Sequence, residues 1–142
     1  MNTARATLPE RITSVTPETF PALALDVFHH QAVHNHIYAR YLGLLRIPPS
    51  SVTQMTEIPH LPIALFKKYR LQSGSWEATR TFTSSGTTGN TTSQHPLRNE
   101  EWYRQNARRA FEAIYGPLRD RVVLALLPAY LERTGSSLVF MA

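Results

Sequence analysis

The stretch Thr83-Ser84-Ser85-Gly86-Thr87-Thr88-Gly89-Asn90-Thr91-Thr92-Ser93 decides how the chain is read, because apart from Asn90 every residue in it is Ser, Thr or Gly. It starts on the last residue of 77–83, whose Thr and Phe content predicts a short strand running into Ser84. It precedes residues 99–115, which carry a helical pattern. Glycines let a backbone approach a ligand closely. Consecutive N–H groups in such a loop form a concave nest for anions. The hydroxyls of Ser84, Ser85, Thr87 and Thr88 add donors without adding charge, which suits a polyphosphate. The loop is not a Walker A sequence, because Gly86 and Gly89 are three apart and no lysine follows. Nor does it match a dinucleotide fingerprint. A flexible hydroxyl-rich linker is the competing reading.

Downstream, Asn99 predicts a helix cap, and Glu100 and Glu101 suit the positive end of the dipole. Trp102, Ala107, Ala110, Phe111 and Ile114 are the expected buried side, and Gly116-Pro117 the stop. Residues 121–128 form a continuous apolar run, as expected of a strand buried on both faces of a parallel sheet. Residues 138–141 begin another apolar element. Upstream, residues 1–16 are polar and predict a loosely held arm. Thr16-Pro17 reads as a helix start, with apolar spacing continuing over 17–30. A second helical stretch covers 31–43, ended by Gly43 or continuous with the first. Pro48, Pro49, Pro59 and Pro62 preclude helix and central strand. They predict an extended segment held on a core by Ile58, Leu61, Ile63 and Phe66, with Lys67, Tyr69 and Leu71 alternating beyond it. The order helix, strand, helix, strand predicts an α/β domain.

A chain of 142 residues with 42% hydrophobic and 18% charged content supports one domain with a real core. No apolar run approaches the roughly 20 residues that span a bilayer, and no apolar leader is visible. No membrane role and a cytoplasmic location are therefore expected. With no cysteine, the chain has neither a disulfide framework nor a thiol nucleophile. Its net charge of +5 favours anionic partners. The basic residues are scattered, however, and form no stripe interleaved with aromatics, so nucleic acid is not the expected partner.

The order Ser84-Ser85-Gly86-Thr87-Thr88-Gly89 resembles the phosphate-binding loop of adenylate-forming enzymes. Those enzymes usually follow the second glycine with Pro-Lys or Thr-Lys, whereas here Asn90-Thr91 follows. With Ser93-x-His95 after it, the loop is similar to that of the acyl-protein synthetase of bacterial bioluminescence fatty-acid reductase complexes. Three further blocks agree. Phe28-x-x-Gln31 with Asn35-x-x-Tyr38 is similar to one family helix. Ile58-Pro59-His60-Leu61-Pro62-Ile63 with Phe66-Lys67 resembles a second block. Leu127-Pro128-Ala129-Tyr130-Leu131-Glu132-Arg133 with Ser136-Ser137-Leu138 resembles a third. The resemblance runs from about Phe20 to the last residue.

That resemblance implies an α/β fold in which N-terminal helices precede part of the adenylate-forming N-domain sheet, left incomplete. Residues 17–142 would be the N-terminal part of such a domain. It implies ATP-dependent activation of a fatty or other carboxylic acid to an acyl-adenylate, then transfer to a protein thiol. ATP and Mg²⁺ are the implied cofactors, and an acyl-acceptor or reductase protein the implied partner. Ser84, Ser85, Gly86, Thr87, Thr88 and Gly89 would hold the β- and γ-phosphates. Ser93, His95 and Tyr130 are candidates for phosphate or substrate contact, against structural roles for His95 and Tyr130. The family's adenine motif, ribose-binding aspartate and acceptor cysteine find no match, so the chain is expected to be inactive alone. The alternative is a non-catalytic module that binds nucleotide, phosphate or protein.

His29, His30, His34 and His36 are not among the residues that define these blocks. His30 and His34 are four apart and could share a helix face toward zinc. No carboxylate is placed to help, so they read as surface histidines, and no metal ligands are assigned.

Overall fold

The computed structural model describes residues 7–84, 92–122, 124 and 135–141. They are a mixture of helices and a small two-stranded antiparallel sheet. The chain divides into two compact units, Met1–Ile63 with Leu71–Gly74 and Ala64–Arg70 with Ser75–Ala142.

The first unit is helical. α1 (Leu8–Thr13) occupies part of the expected arm. The Glu10 carboxylate reaches back to accept from the Thr7 N–H at 2.7 Å and its hydroxyl at 3.0 Å, and Arg11 pairs with Asp26 at 2.6 Å. The Thr-x-x-Glu pattern of a helix start was present in the sequence. α2 (Phe20–His34) begins one turn later than expected, since Thr16 opens a hydrogen-bonded turn first. The two helical stretches are separate. Asn35 is extended, and its Oδ1 caps α3 (His36–Leu45) by accepting from the Tyr38 N–H at 3.2 Å.

Gly43 does not end α3; the helix runs on to Leu45, and Arg46 takes the left-handed turn with φ 57°. The Ile47 N–H reaches the Leu42 carbonyl at 3.0 Å, and the Arg46 N–H reaches that of Gly43 at 3.1 Å. These paired bonds close a helix in the left-handed manner. Ile47 is thereby turned back onto the core, and Pro48 keeps the helix from resuming.

Phe28, Ala32, Tyr38, Leu42 and Val52 form that core, with Leu25, Tyr41, Ile47, Ile58 and Leu61 packed on it. Leu42, 2% exposed, is its centre. The proline segment is extended apart from two 3-10 turns, Pro49–Ser51 and Met55–Glu57. Ile58 and Leu61 anchor it as expected, but Ile63 is 84% exposed.

In the second unit, α4 (Leu65–Lys68) replaces the expected alternation and packs on β2. β1 (Arg80–Thr83) pairs antiparallel with β2 (Gln94–Leu97). The Ser/Thr/Gly stretch therefore leads back into a second strand, and α5 (Glu100–Tyr115) follows that strand. Asn99 caps α5 by accepting from the Trp102 N–H at 2.9 Å, and Gly116 ends it with φ 82°, both as the sequence predicts. The buried side is only partly as expected. Ala107 and Phe111 are half-buried, whereas Trp102, Ala110 and Ile114 are exposed. A 3-10 turn follows at Leu118–Asp120. α6 (Ser137–Met141) is a short helix. Of the apolar run expected as a buried strand, Arg121, Val122 and Leu124 are exposed and carry no strand; the rest lies outside the described residues.

Candidate functional site

The β1–β2 hairpin carries the hydroxyl-rich stretch between its strands. Arg80 pairs with Leu97, Thr81 with Pro96, Phe82 with His95 and Thr83 with Gln94. One further rung closes the neck. The Ser84 N–H donates to the Ser93 carbonyl at 3.1 Å, and the Ser93 N–H donates to Ser84 Oγ at 3.0 Å. Ser84 and Ser93, both candidate ligand contacts, thus hold the two ends of the stretch together. An accepting hydroxyl still carries its own donor proton, so Ser84 keeps the chemistry expected of it. His95 lies on β2, opposite Phe82 in the register, and is exposed. Ser85, Gly86, Thr87, Thr88, Gly89 and Tyr130 lie outside the described residues.

β1 is fixed by aromatic packing and by a backbone bond. Phe82 is buried, its ring 5.3 Å from both Tyr103 on α5 and Phe140 on α6. The guanidinium groups of Arg80 and Arg104 sit 4.9 and 5.0 Å from the Phe140 ring centroid, within cation–π range. Each arginine also holds a carboxylate, Arg80 that of Glu100 at 3.1 Å and Arg104 that of Glu101 at 3.0 Å. At the end of β1, the Thr83 N–H donates to the Gly135 carbonyl at 2.9 Å. A Cβ at Gly135 would lie 3.2 Å from Thr83 Oγ1, and Gly135 has φ 109°. Both the approach and the backbone angle call for glycine. The signal for this site in the sequence is a glycine immediately before Ser136-Ser137.

Lys67 is exposed in the last turn of α4, beside Lys68. Among the described residues no three His, Asp or Glu side chains converge to hold a metal ion. No helix among them is long and apolar enough to cross a membrane.

The block Phe28-x-x-Gln31 with Asn35-x-x-Tyr38 lies in the first unit and is a packing and hydrogen-bond device. The Phe28 ring meets Tyr38 edge to face at 6.0 Å. Gln31 Oε1 accepts from Asn35 Nδ2 at 3.3 Å and from Ser73 Oγ at 2.6 Å. The Tyr38 hydroxyl donates to the Pro59 carbonyl at 2.6 Å. Burial, reinforced by Tyr41 nearby, raises the Tyr38 phenol above its ordinary pKa. The helical block and the proline block are therefore joined by a hydrogen bond.

No family model, curated protein or solved structure matches the chain.

Proposed function

We propose that the chain supplies the nucleotide-phosphate loop of an ATP-dependent enzyme that activates a fatty or other carboxylic acid. The observation that supports this reading is the closed neck: Ser84 and Ser93, bonded to each other, bring both ends of an uncharged glycine and hydroxyl sequence to one place. A hairpin held at its base by β pairing and by Phe82 is a rigid support for donors. Binding and orienting the phosphates is the larger part of catalysis in nucleotidyl transfer. In the reaction a carboxylate oxygen attacks the α-phosphorus of ATP and the bond to pyrophosphate breaks. The acyl-adenylate then gives its acyl group to a thiol sulfur, and AMP leaves. The role of Ser84 to Gly89 is to hold the departing β- and γ-phosphates, with Ser93, His95 and Tyr130 toward phosphate or substrate. Mg²⁺ is assigned to the phosphates of the nucleotide, and no step is routed through it. The accepting thiol is not among these 142 residues, which hold no cysteine; an acyl-acceptor or reductase protein is the proposed partner.

Calorimetry with ATP and Mg²⁺ tests the reading. The expected result is binding that weakens at least tenfold in Gly86→Val and in Thr87→Val. Absence of binding by the unaltered chain would sink it. Pyrophosphate exchange with fatty acids is the second measurement: binding without exchange identifies a module that holds nucleotide while the remaining machinery lies elsewhere.

A further inference from the structure

The exposed histidines on α2 are not equivalent in space. The rings of His30 and His34, one helical turn apart, have centroids 4.4 Å apart and are tilted by 41°. Both are exposed. His29, by contrast, is turned edge-on to the buried Phe28 ring, with centroids 5.0 Å apart. His36 lies beyond the helix break at Asn35. We infer that His30 and His34 form a bidentate site for a borderline divalent transition-metal ion such as Zn²⁺.

The chemistry follows from the pairing. Neutral imidazole suits Zn²⁺, Cu²⁺ and Ni²⁺, and does not suit Mg²⁺ or Ca²⁺. Zinc–nitrogen bonds of about 2.0–2.1 Å in a tetrahedral shell put two nitrogens about 3.3 Å apart; the rings now rest against each other, so both side chains must turn to present those nitrogens to one ion. Asp26, one turn before His30, is held by Arg11 at 2.6 Å. No third His, Asp or Glu joins the pair among the described residues. The two histidines therefore supply two ligands, and water completes the shell. Such an ion ties the last turn of α2 together just before Asn35, the residue that breaks α2 and caps α3. A metal that binds this helical spacing better than the unfolded chain stabilises the fold by mass action.

The test is calorimetric titration of the full chain with ZnCl₂, beside thermal unfolding followed by circular dichroism. One equivalent of Zn²⁺ should bind and raise the melting temperature. His30→Ala and His34→Ala should each weaken binding at least tenfold and abolish the shift. His29→Ala and His36→Ala should leave both unchanged. All four positions are exposed, so the variants should keep the parent spectrum, which the same dichroism experiment checks. Zn²⁺ affinity unchanged in His30→Ala and His34→Ala, or no Zn²⁺ binding at all, overturns the site. Equal binding of Mg²⁺ overturns the assignment of ion class.

Discussion

The Tyr38 hydroxyl donates to the Pro59 carbonyl oxygen at 2.6 Å, across 21 residues of sequence. This bond fastens the proline segment to the first turn of α3. Tyr38→Phe keeps the ring against Phe28 and removes only the hydroxyl. It should cost about 1 kcal/mol, the net value of one such bond, read from urea unfolding by circular dichroism. The phenol adds a pH signature. Its folded pKa lies above the ordinary 10.0 because burial disfavours the phenolate. Stability from this group is thus complete below pH 10.0 and is lost as pH rises through the folded value. Tyr38→Phe should flatten that alkaline loss; an unchanged alkaline limb would show that Tyr38 does not cause it.

Gly135 tests how tightly the end of β1 is held. Gly135→Ala meets a backbone angle that L residues rarely adopt and places a methyl 3.2 Å from Thr83 Oγ1. A cost of about 1–3 kcal/mol is expected. Trp102, on the helix against the hairpin, is a suitable fluorescence reporter. Thr83→Ala in the same chain should recover the steric part and leave the backbone part, so recovery should be incomplete. Full recovery would place the whole effect in the clash.

Ser84 serves the neck and is proposed to serve phosphate as well. Ser84→Ala leaves the Ser93 N–H without its acceptor. It should lower the melting temperature, with a stability loss of about 0.5–1.5 kcal/mol, and weaken ATP binding together with it. Gly86→Val should weaken ATP binding by more than any change in melting temperature explains. If both substitutions change binding only in proportion to stability, the loop is structural and the phosphate reading falls.

Local chemistry made some of this architecture legible. Asn99 and Gly116 bound α5 where the sequence placed them, because a cap depends on one side chain or one glycine angle. The helix break at Asn35 was less visible, since the apolar spacing continues across it. β2 escaped notice because Gln94, His95 and Pro96 lack strand propensity and alternation. Pro96 is accommodated because β2 pairs only with β1 among the described strands. Gly43 misled as a helix stop: the left-handed turn fell to Arg46, where burial of Ile47 on the core fixes the chain path. On α5 the helical period was plain, but which apolar residues are covered depends on Phe82 and Phe140, from distant parts of the sequence. For the candidate site, the composition of the loop was legible and its closure by Ser84 and Ser93 was not, because a register is a tertiary fact.

Two carboxylates that bond to backbone predict how the fold responds to acid. Backbone N–H groups of Thr53 and Gln54 hold Glu57 below the ordinary value of 4.5. The Leu118 N–H, with Arg108 second, holds Glu112 below the same value. For both groups the ionised form is favoured by folding. Their stabilisation is present above pH 4.5 and is lost as pH falls through the depressed folded values. Melting temperature should therefore decline on acidification below pH 4.5. Arg108 is exposed, so salt should shrink its contribution more than the backbone ones. Glu57→Gln and Glu112→Gln should each lower the melting temperature at neutral pH and make the acid decline shallower. The double variant should be shallower still, because the two sites lie far apart in the sequence and share no partner. An acid decline of unchanged slope in the double variant would move its origin to other carboxylates, Glu10 and Glu101 being next, as hydrogen bonds depress both.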